Sequence, residues 1–217
     1  MSPAGQAAPG TIGVTGSGTA SGAPDVARVR MTATALRPTL TEALAASEDA
    51  ARRVRAALAA GGVAAQDAAT SGLAANAEYE YDGHRQRMTG YRAEHRLALT
   101  LRGVATAGRV LGDALAAGGD DVRLEDVGFG VEDDAALRDL ARAAAWADAV
   151  RRASQLAGLA GRQLGSVEQV VEGGSVPVPQ PRGRMSMSAA MPESVDLGIE
   201  AGAVSVHVSV SVVWALV

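Results

Sequence analysis

Near the C-terminus Val204, Val206, Val208, Val210, Val212 and Trp214 alternate with Ser205, His207, Ser209 and Ser211. A period of two places every valine on one side of an extended chain and every hydroxyl on the other. β-Branched residues at that density suit a pleated sheet far better than a helix. The valine side needs an apolar cover while the serine side can stand in water, so the chain is committed to a sheet with another layer laid upon it.

Three segments have the pattern to supply that cover. Leu40, Leu44, Ser47, Ala51, Val54 and Leu58 recur at spacings of four and three, which predicts a helix stopped by Gly61-Gly62. A second helix is expected around Thr106 to Ala117, before Gly118-Gly119. A third, rich in alanine, should run from about Asp134 to Leu159, with Asp133 and Asp134 at its positive end and Gly161 and Gly165 after it. Strands are expected at Ile12 to Val14, at Ala27 to Ala35, in a less regular stretch from Asp67 to Tyr81 and at Tyr91 to Arg102. Others are expected around Val122 to Val131 and at Val167 to Val171. In the Tyr91 strand Ala93, His95, Leu97, Leu99 and Leu101 face one way and Arg92, Glu94, Arg96, Thr100 and Arg102 the other. The fold class that follows is α+β, helices on mostly antiparallel sheets in two lobes, with the last strand returning to pair near the N-terminus. The β-α-β-α-β order from Tyr91 to Val171 suggests a lobe of its own.

Aromatic residues make up 3% of the 217 positions, so the core must be built from Ala, Val and Leu. Each buries little area at about 25 cal/mol per Å², and such a core gains from a partner surface, which points to a homo-oligomer. A net charge of −4, mixed in sign along the chain, gives no basic stripe and no stacking aromatics for nucleic acid. Without cysteine, disulfides and thiolate chemistry are excluded. Met1 to Gly10 lack the basic start and apolar run of a secretory signal, and no stretch reaches the roughly 18 apolar residues of a membrane span. The expectation is a cytoplasmic protein with a short N-terminal tail and no transmembrane segment.

Motifs that could carry chemistry are few. Gly16-Ser17-Gly18 resembles part of a dinucleotide loop, but position 21 is serine and a strand follows where a helix should begin; a glycine bend between strands fits better. His84, His95 and His207 share no metal-ligand spacing. His95 lies on the apolar register of its strand, as an interior histidine would, and His207 on the serine face. Asp120-Asp121 and Glu132-Asp133-Asp134 fall at element ends, where capping explains them, and no Gly-x-Ser-x-Gly elbow is present. A hydrolase would need one of the histidines within hydrogen-bond reach of a carboxylate in a cleft. No catalytic, cofactor-binding or metal-binding residue is therefore assigned, and the reading is of a protein that is not an enzyme.

Several stretches together resemble the SIMPL-domain family. They are Ile12-Gly13-Val14-Thr15-Gly16-Ser17-Gly18 with Pro24-Asp25-Val26-Ala27, then Gly90-Tyr91-Arg92-Ala93. Further along come Ala147-Asp148-Ala149 through Arg152-Ala153, Leu156-Ala157, Gly161 and Leu164-Gly165, and finally Ile199-Glu200-Ala201-Gly202. The resemblance implies a two-lobed α+β fold over residues 11–217 and, as in some bacterial relatives, large homo-oligomers. It also implies a link to envelope or oxidative stress, and it offers no catalytic residues to transfer. Many bacterial members begin with a signal peptide, which Met1 to Gly10 do not resemble. The expected organisation is a tail over 1–10, one lobe of about 11–90 with 198–217, a second of about 91–172, and a long loop over 173–197. Pro177, Pro179, Pro181 and Pro192 break that loop, and Met185, Met187 and Met191 make it a candidate contact for a protein partner. The leading functional expectation is a self-assembling structural or interaction protein. The alternative is a small-ligand module with a pocket between the lobes near Tyr79, Tyr81 and Tyr91.

Overall fold

The computed structural model describes residues 10–81, 83, 85–177 and 201–217. It is α+β, with seven strands and three helices among the described residues. The strands are β1 (Thr11–Gly22), β2 (Val26–Arg37), β3 (Ala68–Tyr81), β4 (Gln86–Arg102), β5 (Val122–Gly130), β6 (Leu164–Pro177) and β7 (Val204–Leu216). The helices are α1 (Leu40–Ala60), α2 (Val104–Gly118) and α3 (Ala135–Leu159). Every strand pairing is antiparallel.

One unit is a three-stranded sheet ordered β1-β7-β6 with α3 laid on it. β7 pairs with β1 over twelve residues without a break in register, from Thr11 opposite Ala215 to Gly22 opposite Val204. The final strand thus returns to the N-terminal one, and its valines and Trp214 form the core with Ala141, Ala145, Ala149 and Ala153 of α3. Gly16 and Gly18 lie inside β1, not at a bend, and both face the helix. A Cβ on Gly16 would stand 2.2 Å from the Ala145 carbonyl oxygen, and one on Gly18 would stand 2.1 Å from that of Ala141. Glycine on the strand and alanine on the helix bring the two backbones into contact.

The other unit is a four-stranded sheet ordered β3-β4-β2-β5, with α1 and α2 on one face. Its core joins Val29, Met31, Leu97, Leu99 and Leu101 to Val54, Leu58, Val110 and Leu111. A capping box starts α1: the Thr39 hydroxyl accepts the Glu42 N–H, and the Glu42 carboxylate accepts the Thr39 N–H at 3.2 Å. Gly90, at the step into the buried part of β4, has φ +153°, and a Cβ there would meet the Arg37 carbonyl oxygen at 2.5 Å.

The division into units departs from the expected lobes. β4 bonds along its length to β2 and to β3, so no boundary can fall at residue 90. α3 and β6 belong with β1 and β7, and residues 24–132 are inserted between β1 and α3. The β-α-β-α-β order from Tyr91 gives element types but not their pairing, which is set here by antiparallel registers. β6 is also longer than expected. It reaches Pro177, so the first residues of the expected 173–197 loop are edge strand, where proline is tolerated. Residues 178–197 of that loop, with its methionines, lie outside the described residues, as do 1–9 of the tail.

Candidate functional site

The serine face of β7 continues across β1 as a sheet of hydroxyls. Thr15 meets Ser211 at 2.8 Å, Ser21 meets Ser205 at 2.8 Å, and Thr19 Oγ1 lies 3.2 Å from Nδ1 of His207. His207 is thus a member of a solvated ladder. His95 is in the other unit and almost wholly buried, on β4. Its Nε2 lies 2.8 Å from Thr70 Oγ1 and 3.4 Å from Arg55 Nη1, and its Nδ1 lies 2.8 Å from Glu48 Oε2, off the axis of a regular hydrogen bond. Arg55 and Glu48 are themselves 2.6 Å apart on α1. His84 lies outside the described residues.

The acidic runs are held at element ends. Glu132 forms a two-pronged pair with Arg102, which holds its carboxyl below the ordinary range; Arg102 also bonds Asp67. Asp133 accepts the Ala135 N–H, and Asp134 pairs with Arg138 at 2.8 Å at the start of α3. Asp121 lies 3.7 Å from Arg53.

The two edges of the three-stranded sheet differ. Among the described residues β1 has β7 on one side only, so alternate N–H and C=O groups face outward on the other. Two of these are taken up by α3: Ser17 N–H donates to Asp148 Oδ2 at 3.1 Å, and Arg152 Nη1 donates to the Thr15 carbonyl at 3.3 Å. The Ser17 N–H, together with Arg151 and Arg152, holds the Asp148 carboxyl below its usual range. On the opposite edge β6 is broken in register between Leu164 and Val167, Val167 and Gln169, and Gly173 and Val176, which leaves a regular run from Gln169 to Gly173. Val170 and Val171 in that run are 51% and 50% exposed. Beside it an open concavity of about 500 Å³ is lined by Val170 and Glu172 of β6, Val210, and Asp139, Arg142, Ala143 and Trp146 of α3. Trp146 leans on Trp214 with ring centroids 6.2 Å apart, and Arg142 bridges the Glu172 and Asp139 carboxylates. Tyr79 and Tyr81 stand exposed on the β3–β4 hairpin of the other unit, with Tyr91 near its base, and none of the three lines this concavity.

A family model described as SIMPL, "Protein of unknown function (DUF541)", matches residues 12–214. The chain belongs to the SIMPL family. Among similar proteins is the "26 kDa periplasmic immunogenic protein" of Brucella melitensis, 31% identical over 217 residues, covering 95% of this chain and 84% of the relative. The Brucella abortus protein of the same name matches to the same extent. The "Uncharacterized protein YggE" of Escherichia coli K12 is 32% identical over 154 residues, 71% of this chain and 62% of the relative. None of these SIMPL relatives has an enzymatic name. The Brucella name sets the expectation of a cytoplasmic protein against a periplasmic relative, and no helix among the described residues is long and apolar enough to cross a membrane.

Sequence reading missed the Asp148–Arg152 cover on β1 and the meeting of Glu48, Thr70 and His95. The only local signal for the first is an acid and a base four apart on a helix, the commonest of surface pairs. For the second there is none, because its residues come from three separate elements.

Proposed function

We propose that this SIMPL protein is a self-assembling structural or interaction protein of the cell envelope, acting in defence against envelope or oxidative stress. The observation that supports assembly is the β6 edge. From Gln169 to Gly173 no second strand pairs with it among the described residues, and Val170 and Val171 are exposed there, while on the β1 edge of the same sheet Asp148 and Arg152 take up two backbone groups. An apolar edge of this kind gains both hydrogen bonds and buried area when another strand joins it. A core of alanine and valine adds to the motive for burying further apolar surface. The periplasmic setting rests on the name of the Brucella relative, and the link to stress only on the resemblance to the family.

Sedimentation velocity of the purified chain at micromolar concentration tests the assembly. An oligomer is expected, and Val171→Lys should shift it to monomer with an unchanged circular dichroism spectrum, because the side chain is exposed. A strict monomer in the parent protein defeats the assembly reading.

A further inference from the structure

A hydroxyl, an imidazole and a carboxylate meet at the edge of the four-stranded sheet, and the assembly reading makes no use of them. Thr70 is exposed on β3, the edge strand, where the register with β4 slips between Thr70 and Gly72. Bulges of this kind turn a side chain out of the regular alternation. The slip lets the Thr70 hydroxyl reach His95 Nε2 at 2.8 Å, although the direct cross-strand partner of Thr70 is Leu97. On the far side of the ring Glu48 Oε2 stands 2.8 Å from Nδ1.

The arrangement selects one tautomer of the neutral ring. With a carboxylate beside Nδ1, the proton sits there, and Nε2 is left as the acceptor for the Thr70 hydroxyl. That is the division of labour of a nucleophile, a base and an orienting acid. The Glu48 carboxylate is about half exposed, so it can turn onto the N–H axis as substrate arrives. Arg55 Nη1 lies 3.4 Å from the same Nε2, and the guanidinium is held by Glu48 at 2.6 Å.

We propose that Thr70, His95 and Glu48 form an acyl-transfer site for activated carboxylic esters, with Thr70 as nucleophile, His95 as base and Glu48 as its positioning residue. Thr70 Oγ1 attacks the ester carbonyl and forms the new C–O bond as its proton passes to His95 Nε2. The ester C–O bond then breaks and the leaving alkoxide takes that proton from Nε2. Water, deprotonated by the same nitrogen, hydrolyses the acyl-threonine and restores the hydroxyl. The site faces solvent at a sheet edge, so small, reactive esters are the class it fits.

The test uses the full-length protein and two probes, an alkyl fluorophosphonate and p-nitrophenyl acetate. The expected result is one phosphonyl group on the peptide carrying Thr70, with loss of fluoride, and turnover of the ester. Thr70→Val should abolish both. His95→Gln should slow labelling by about 100-fold or more. Thr70→Ser, a smaller nucleophile at the same place, should keep both. Glu48→Gln should lower turnover and change the pH profile without changing the labelled residue. Because His95 is buried, the circular dichroism of His95→Gln is compared with that of the isosteric Thr70→Val, which alone decides the nucleophile if the former is unfolded. Absence of labelling in the folded parent, or equal labelling of Thr70→Val, overturns the proposal.

Discussion

Adding one methyl group to β1 tests whether the sheet and α3 are held by backbone contact. In Gly18→Ala the new Cβ would lie 2.1 Å from the Ala141 carbonyl oxygen and 2.4 Å from the Ala145 nitrogen. Both neighbours are helix backbone and cannot turn aside as a flexible side chain could. The shortfall from ordinary contact is roughly 1 Å or more, so α3 must back away, and its alanines on β7 lose a quarter to a half of their dispersion energy. Overpacking of this kind costs about 1–3 kcal/mol, at the upper end where backbone meets backbone. Replacing a strand glycine returns roughly 0.5–1 kcal/mol. The net loss is about 2 kcal/mol, which lowers a urea midpoint by about 1 M. The control is Gly13→Ala on the same strand, where the Cβ meets only Val213 Cγ2 at 3.7 Å and stability should hold or rise slightly. Tryptophan fluorescence reads this unit selectively, because both tryptophans of the chain, Trp146 and Trp214, lie within it. Equal midpoints for the two variants would refute close backbone contact as what holds the layers together.

The same contact inverts the usual ranking of side chains: Ala149→Leu, at a fully buried alanine, should cost more than about 2 kcal/mol in urea unfolding, whereas Leu159→Ala, 80% exposed, should change stability by less than about 0.5 kcal/mol. The Asp148 carboxyl titrates below its unfolded value, so its contribution is complete above about pH 4 and is lost as pH falls through the folded-state value. Asp148→Asn should therefore flatten the acid limb of fluorescence-monitored stability and leave the limb above neutrality unchanged. Val171→Lys should dissociate the oligomer in sedimentation velocity, and the fluorophosphonate should label Thr70 and not Thr70→Val.

The fold was legible where patterning is local. β7, β4, α2 and α3 fall within a few residues of where period two, period 3.6 and the terminal glycines put them. Legibility failed where size was taken as a proxy for burial. In α1 the structure buries Ala43 and Ala50 and leaves Leu40 and Leu44 about two-fifths exposed; in α3 it buries alanines at every fourth position and exposes Leu140, Leu156 and Leu159. A helix that approaches a sheet this closely has room for a methyl group and no more, so the larger side chains are turned to the flanks. The glycines of β1 misled for the same reason. Read alone, Gly16-Ser17-Gly18 signals a bend; opposite a helix 120 residues away it is the complement of an alanine stripe. Of the candidate sites, His95 was placed in the interior by its register, but its partners lie on α1 and β3, and no spacing rule joins them.

The close seat of α3 on β1 also bears on assembly. Because Gly16 and Gly18 let the helix backbone touch the strand, the next outward residues of α3, Asp148 and Arg152, come within reach of the Ser17 N–H and the Thr15 carbonyl at the sheet's rim. A helix held one side chain farther off could not cover that edge. At β6 the same helix presents Arg142 and Trp146, which are occupied with Glu172 and Trp214, and it makes few contacts with the strand itself. Among the described residues one edge of the sheet is therefore partly covered by the helix and the other is not, for a single geometrical reason. In the proposed assembly a joining strand takes the β6 side, so a variant that pushes α3 off β1, such as Gly18→Ala, is expected to free the two covered groups of β1 and broaden the mass distribution seen in sedimentation velocity.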